Sequence, residues 1–305
     1  MASQGRHFRF YSADLTSPLA PEYKQRMASA KDVDITGRVV VVTGASMGIG
    51  EALAGLFAAR GCSVVLSSRD AGRAEAARQR ISHSERTLAL SCDVRNREEI
   101  DKVVSLTLHH FGRIDVWINN AGYGMRDSVE MMDMAECRSL FDTNLFGAIH
   151  GMQAVIPVMK QQGSGTIINI SSVAGHIPLP YSAAYSASKF AMNAIGKAAG
   201  GELRGTGVHV LTVCPGFVKT NFQENRVPGR SGMELRRPAR GISADRVARA
   251  TLRAYLKNKR EIVVPWTNHI YVKFYQLFPR LVEDSMARMA RPTKKQSAET
   301  SEARR

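Results

Sequence analysis

Seven short runs rich in β-branched residues alternate with stretches of helical periodicity, and that alternation restricts the chain to few folds. The runs are Val39 to Val42, Ser63 to Ser67, Thr87 to Ser91, Ile114 to Ile118, Thr166 to Ile170, Val208 to Val213 and Ile262 to Val264. Residues 49–60, 70–82, 97–111, 135–162, 183–204 and 244–257, which lie between them, carry helical patterns. Near-continuous apolar strands separated by helices predict an α/β fold: a doubly wound, parallel, seven-stranded, Rossmann-like sheet covered on both faces. At 305 residues, one domain with N- and C-terminal extensions is the economical organisation. Residues 1–36 are polar, contain Pro18 and Pro21, and read as a loosely ordered arm; the sheet domain covers 37–265.

Beyond the last strand, Ile270, Phe274, Leu277, Phe278 and Leu281 recur at helical spacing, with Lys273, Gln276, Arg280 and Glu283 on the other side. This predicts an amphipathic extension over 266–290, kinked or restarted at Pro279, followed by a polar disordered tail over 291–305.

The first strand runs into Thr43-Gly44-Ala45-Ser46-Met47-Gly48-Ile49-Gly50, which opens the first helix. Glycines at such a junction let the backbone turn tightly and approach a pyrophosphate, whose charge then sits at a helix N-terminus. Asn119-Asn120-Ala121-Gly122 ends the fourth strand: its small residues permit close approach to an adenosine, and its asparagines can bond across strands. The second strand ends in Ser67-Ser68-Arg69 rather than in the acid that binds ribose hydroxyls in an NAD site. Arg69 can instead grip a 2'-phosphate through its planar fork, Ser46 can add a hydroxyl, and Asp70 reads as the cap of the next helix. NADP(H) is therefore expected in preference to NAD(H).

Tyr185-Ser-Ala-Ser-Lys189 carries the chemistry, with Ser172 thirteen residues before the tyrosine. A phenol is a poor acid at neutral pH, and a lysine one helical turn away on the same face supplies a charge that lowers its pKa. Ser172 is placed to bond a carbonyl oxygen as charge grows on it, whereas Ser171 reads as a strand-end hydroxyl. The segment from His176 to Pro180, with Tyr123, Met125 and Arg126, should line a mostly apolar substrate cleft, and His176 reads as a loop-surface residue.

Taken together, the glycine turn, the N-N-A-G segment, Asn144, Ser172, Tyr185, Lys189 and Pro215-Gly216 resemble the classical short-chain dehydrogenase/reductase family in order and spacing, from about Gly37 to Pro265. The resemblance implies a dinucleotide-binding catalytic domain. Gly44, Ser46, Met47, Gly48, Ile49, Gly50, Arg69, Asn120, Ala121 and Gly122 would then lie against the cofactor, and Asp93 with Val94 at its adenine. It further implies that Pro215, Gly216, Val218 and Thr220 hold the nicotinamide amide, that Tyr185 and Lys189 touch its ribose, and that Asn144 holds a water that reloads the proton through Lys189. Met47 stands where many NADP-using relatives carry a basic residue, which counts against that cofactor. Residues 221–242 occupy the usual lid position. The implied activity interconverts a ketone and a secondary alcohol on a hydrophobic, lipid-, steroid- or acyl-like molecule. The alternative is an NADP(H)-binding sensor or membrane-surface protein with little turnover.

Charge sharpens the choice of partners. The net charge is +15, and residues 225–260 hold eleven Lys or Arg against Glu234 and Asp245. This suits a solvated basic face or an anionic partner such as a membrane surface; without a nucleic-acid-binding motif, nucleic acid is not expected. Cys62, Cys92, Cys137 and Cys214 are far apart with no zinc or redox spacing, so no metal is expected and a reducing, cytoplasmic setting is. A homodimer through the helices at 135–162 and 183–204 is the expected assembly.

Overall fold

A computed structural model of the chain describes residues 33–81, 84–220, 222, 226–235 and 241–292. The predicted arm over residues 1–32 and the tail over 293–305 lie outside the described residues. All elements below belong to the compact unit Ile35–Arg305.

Seven parallel strands, β1 (Val39–Thr43), β2 (Ser63–Ser68), β3 (Thr87–Ser91), β4 (Val116–Asn119), β5 (Gly165–Ile170), β6 (Val208–Pro215) and β7 (Glu261–Val264), form one sheet in the order β7-β6-β5-β4-β1-β2-β3. The helices between them are α1 (Gly48–Ala58), α2 (Ala71–Arg80), α3 (Arg97–Phe111), α4 (Met134–Phe141), α5 (Gly147–Gln161), α6 (Ala183–Glu202) and α7 (Ala244–Leu256). Strand β1 shows why the sheet is central. Val40 pairs with Val64 on one side and Val116 on the other, and the strand's side chains alternate between two cores. Val40 and Val42 join Leu53, Phe57, Val247 and Leu252 of α1 and α7; Val41 joins Ile100, Trp117, Val155 and Met159 on the opposite face. From β1 the chain winds outward to β3 and then returns to β4 on the other side of β1. The C-terminal ends of β1 and β4 therefore open the crevice in which α/β sheets bind ligands.

The long helix expected over 135–162 is broken by a π-helical turn, Asp142–Phe146. Its cause is Asn144: the side chain accepts from Tyr123 N at 2.9 Å and donates to Tyr123 O at 2.9 Å, which draws one turn of helix toward the loop after β4.

The C-terminal extension forms α8 (Trp266–Leu277) and α9 (Pro279–Arg288), with Pro279 starting the second helix where its missing N–H costs nothing. The buried side of this hairpin is not the stripe read from the sequence. Val272, Val282 and Met286 pack on Ile177, Val173 and Leu179, while Ile270, Phe274, Leu277, Phe278 and Leu281 face outward. Ala290–Pro292 then pairs antiparallel with Met233–Leu235, so ordered backbone crosses the expected start of the disordered tail at 291.

Candidate active site

The crevice at the ends of β1 and β4 opens into a cleft of about 1480 Å3. Its floor is a cross-linked pair of loops. Thr43 Oγ1 accepts from Asn120 N at 3.0 Å and Ala121 N at 3.2 Å, while Asn120 Nδ2 donates to Thr43 O at 3.0 Å and Gly44 O at 2.9 Å. Asn119 continues the lock into the next strand, donating to Asn169 Oδ1 at 2.8 Å and accepting from Trp117 Nε1 at 2.7 Å. Gly44 has φ +61°, and a β-carbon there would lie 2.7 Å from Ala121 Cα. Gly50 does not line the cleft. It is small because a β-carbon would meet Asn120 Nδ2 at 2.5 Å, so its part is to let α1 approach this lock.

Several features fit a dinucleotide. Ser46, Met47, Gly48 and Ile49 line the cleft where α1 begins, and the N-cap residue Met47 makes no side-chain capping bond to that helix end, the kind of place an anion can take. Ser68 and Arg69 follow on the same wall. Asp70 also lines the cleft and caps α2, accepting from Arg73 N at 2.9 Å, so one of its carboxylate oxygens is committed to the helix end. Arg73 also lines the cleft and is absent from the sequence-based expectation; the signal that could have found it is a basic side chain in the first turn of the helix that follows Arg69. Asn120, Ala121, Gly122, Val94, Pro215, Gly216, Val218 and Thr220 line the cleft as expected. Asp93 does not: Arg95 holds its carboxylate at 2.6 Å and keeps it below the usual carboxylate range against the opposing effect of burial, while Cys92 and Val94 face the cleft instead.

The reactive residues converge at the end of β5. Ser172 caps the short turn Val173–Gly175, accepting from Ala174 N at 3.1 Å, and its hydroxyl donates to Pro215 O at 3.4 Å. The Ser171 hydroxyl donates to Lys189 O at 3.3 Å. Tyr185 and Lys189 lie one turn apart on α6; the lysine Nζ sits 5.9 Å from the phenol ring centroid and donates to Ile170 O at 3.0 Å. The electrostatics differ from the sequence expectation. Burial raises the Tyr185 hydroxyl above its ordinary pKa, opposed by its hydrogen bond with Ser172 and the charge of Arg226. Burial also lowers Lys189 to about 8. Two desolvated groups are each pushed toward neutrality, and burial rather than a lysine charge sets the direction of the phenol's shift. Asn144 is fully buried, does not line the cleft, and joins this group by donating to Ser188 Oγ at 3.3 Å.

Around Tyr185 the walls are Leu179, Phe222, Val227, Arg126 and Arg226. The Phe222 ring lies 5.7 Å from Tyr185, and Arg226 stacks over Phe222 at 5.6 Å. The extension completes the rim with Asn268, Tyr271, Met286 and Met289, which no local pattern places there. Asn268 abuts the backbone of Gly216 so closely that a β-carbon at 216 would overlap its amide. His176 is another correction: it lies on the loop after Ser172, but its side chain turns inward and is 10% exposed.

The family model described as short chain dehydrogenase matches residues 38–231. Dehydrogenase/reductase SDR family member 7B of Danio rerio is 33% identical over 271 residues, 85% of this chain and 87% of that protein. An uncharacterized oxidoreductase of Staphylococcus saprophyticus is 36% identical over 194 residues, 63% of this chain and 78% of its own. Among solved structures, a short-chain dehydrogenase/reductase from Burkholderia phymatum in complex with NAD superposes with a TM-score of 0.73 at 25% identity, covering 82% of this chain and 96% of that one. A metagenomic short-chain oxidoreductase in complex with NADP gives 0.64 at 31% identity, covering 76% and 98%. The chain belongs to the short-chain dehydrogenase/reductase family, and is an oxidoreductase of that family.

Proposed function

We propose that this protein is an NADP(H)-dependent oxidoreductase that interconverts a ketone and a secondary alcohol on a hydrophobic molecule. The observation that carries the reading is the convergence of Tyr185, Ser172 and Lys189 on one cleft whose far wall joins the glycine-rich N-terminus of α1 to Arg69 and Arg73. A bound nicotinamide dinucleotide supplies the hydride. Gly44 to Ile49 would hold its pyrophosphate, Ser46, Arg69 and Arg73 its 2'-phosphate, and Pro215 to Thr220 its amide.

The chain's own groups handle the proton. The bond from Ser172 to Pro215 O is long, so the hydroxyl can exchange it for a substrate carbonyl on which charge develops. Tyr185, whose raised pKa keeps it protonated in the resting site, gives its proton to the same oxygen. Lys189, held by Ile170 O, takes part in reloading that hydroxyl, with Asn144 anchoring the relay behind. Leu179, Phe222, Val227, Tyr271, Met286 and Met289 favour an apolar body on the substrate. With Tyr, Ser and Lys all in place, a sensor without turnover is disfavoured.

The test is NADPH oxidation against ketosteroids, long-chain ketones and 3-ketoacyl thioesters, with Tyr185→Phe alongside. That variant removes only a hydroxyl, so it should bind NADPH nearly as wild type does and lose turnover. Retention of more than a few per cent of wild-type turnover would sink the assignment.

A peripheral membrane contact is supported by one observation: Trp266, Leu277 and Leu281 are 68%, 73% and 61% exposed on a face that also shows Ile270, Phe274 and Phe278. No helix among the described residues is long and apolar enough to cross a membrane. A homodimer is supported by Phe146, just before α5, and Phe190 on α6, both exposed. Of the basic window at 225–260, residues 225 and 236–240 lie outside the described residues.

A further inference from the structure

Behind the catalytic loop, on the side of the sheet edge away from the cofactor wall, three metal-ligating groups face one another. Cys214 lies near the end of β6. Glu261 begins β7, in register with Thr212, and so stands diagonal to Cys214 on the same face of the sheet. His176 enters from the loop after Ser172. The His176 Nε2 lies 3.5 Å from Cys214 Sγ and 3.5 Å from Glu261 Oε1, and all three ligand atoms are within 4.8 Å of one another.

The two separations measured from His176 suit a tetrahedral ion. Zinc bonds of about 2.0–2.1 Å to nitrogen, 2.3 Å to sulfur and 2.0–2.2 Å to carboxylate oxygen, at tetrahedral angles, put nitrogen about 3.5 Å from sulfur and about 3.4 Å from oxygen. Protons alone serve the cluster badly. Asn193 Nδ2 donates to Gly175 O at 2.8 Å and lies 3.4 Å from His176 Nε2, so in one tautomer that nitrogen accepts from it. Glu261 Oε1 then faces a lone pair. If Nε2 carries the proton instead, it serves Glu261 and meets the hydrogens of Asn193. Lys197 Nζ lies 3.0 Å from Glu261 Oε2 without the alignment of a hydrogen bond, so it steadies the charge of the carboxylate from its other oxygen. A divalent cation satisfies all three lone pairs at once. Its two charges are matched by one carboxylate and one thiolate, whose proton passes to solvent, so the occupied site is neutral beside Lys197, His269 and Lys273 where the empty one carries the single charge of Glu261. Asn193 Oδ1, 3.8 Å from Cys214 Sγ, or a water can complete the coordination. Glu261, 26% exposed, gives the ion a way in.

We propose that His176, Cys214 and Glu261 form a binding site for zinc or a similar borderline-soft divalent ion. Bound there, the ion ties the loop that carries Ser172 to β6 and β7. Its three ligands do not line the cleft that holds Ser172, Tyr185 and Lys189.

Untagged, metal-stripped protein should be titrated with cobalt(II), whose spectrum reports thiolate ligation. One equivalent should give a thiolate-to-cobalt charge-transfer band and the intense visible bands of tetrahedral cobalt, both displaced by zinc, and zinc should raise Tm. Cys214→Ser should abolish the charge-transfer band. His176→Ala and Glu261→Gln should weaken cobalt binding by at least about tenfold, while Cys137→Ser leaves it unchanged. NADPH binding by each variant serves as the check on folding. Absence of the band in wild type at excess cobalt overturns the proposal, and so does its survival in Cys214→Ser. Should Cys214→Ser not fold, an undiminished band in His176→Ala overturns it equally.

Discussion

Replacing Lys189 by methionine should remove catalysis while stabilising the protein, by an amount that depends on pH in a calculable way. The ammonium is buried, 4% exposed, and its pKa falls from 10.5 to about 8. The unfolded chain therefore binds this proton more readily than the folded one throughout the interval between those values. Stability rises with pH across that interval, and the full penalty is present below about 8. Linkage puts the penalty at about 3 kcal/mol near pH 7, about 2 near pH 9 and below about 1 near pH 10. Methionine fills the same volume without the charge, but it leaves Ile170 O without its 3.0 Å partner, an offset of about 1–3 kcal/mol. The offset does not titrate, so the slope carries the information. Urea unfolding of both proteins in the absence of nucleotide and at one protein concentration should show the variant's advantage shrinking by about 2–3 kcal/mol from pH 7 to pH 10. A gap that stays constant with pH, or one that widens, would mean that Lys189 keeps an ordinary pKa and that its burial has been misread.

Three further outcomes are expected. Arg69→Ala and Arg73→Ala should each weaken NADPH by about one to two orders of magnitude, the worth of a charge-assisted contact of about 1.5–3 kcal/mol, and leave NADH little changed in fluorescence titration; equal loss for both cofactors would assign these residues to the fold or the adenine. Asn120→Ala breaks the bonds to Thr43 O and Gly44 O and should lower stability by about 1–3 kcal/mol, with dinucleotide affinity falling alongside, and unaltered urea midpoints would contradict the lock. Sedimentation with anionic vesicles should be salt-sensitive and lost in the Phe274→Glu, Phe278→Glu protein while NADPH binding persists; if the wild type never sediments and the variant falls apart into monomers, that face belongs to a second subunit.

What can be read from the sequence is what local spacing encodes. Each strand is legible to within about two residues because a run such as Val39 to Val42 is apolar on both faces and bounded by turn residues. The glycine turn and the Tyr185, Lys189 pair are contiguous, so their chemistry is legible without knowing what packs on them. Even Asp70, an acid beside the arginine proposed to read the cofactor, is recognisable as a cap, because a helix pattern starts one residue later.

The departures share a physical origin, in that each depends on what a side chain meets across the fold. The extension reads as a helix with one apolar stripe, and Ile270, Phe274 and Leu277 do make that stripe. Burial goes to Val272, Val282 and Met286, because the loop from Val173 to Leu179 offers its apolar side chains to that face. A hydrophobic period locates a helix and cannot say which partner arrives. His176 reads as a surface residue since nothing within ten positions asks for an imidazole; its partners, Cys214 and Glu261, are brought to it only by the pairing of β6 with β7. Electrostatics departs for the same reason. Lysine beside tyrosine reads as an attractive charge at one helical turn, but the effect that dominates both pKa values is desolvation, which is a property of everything packed around α6 rather than of the four-residue spacing.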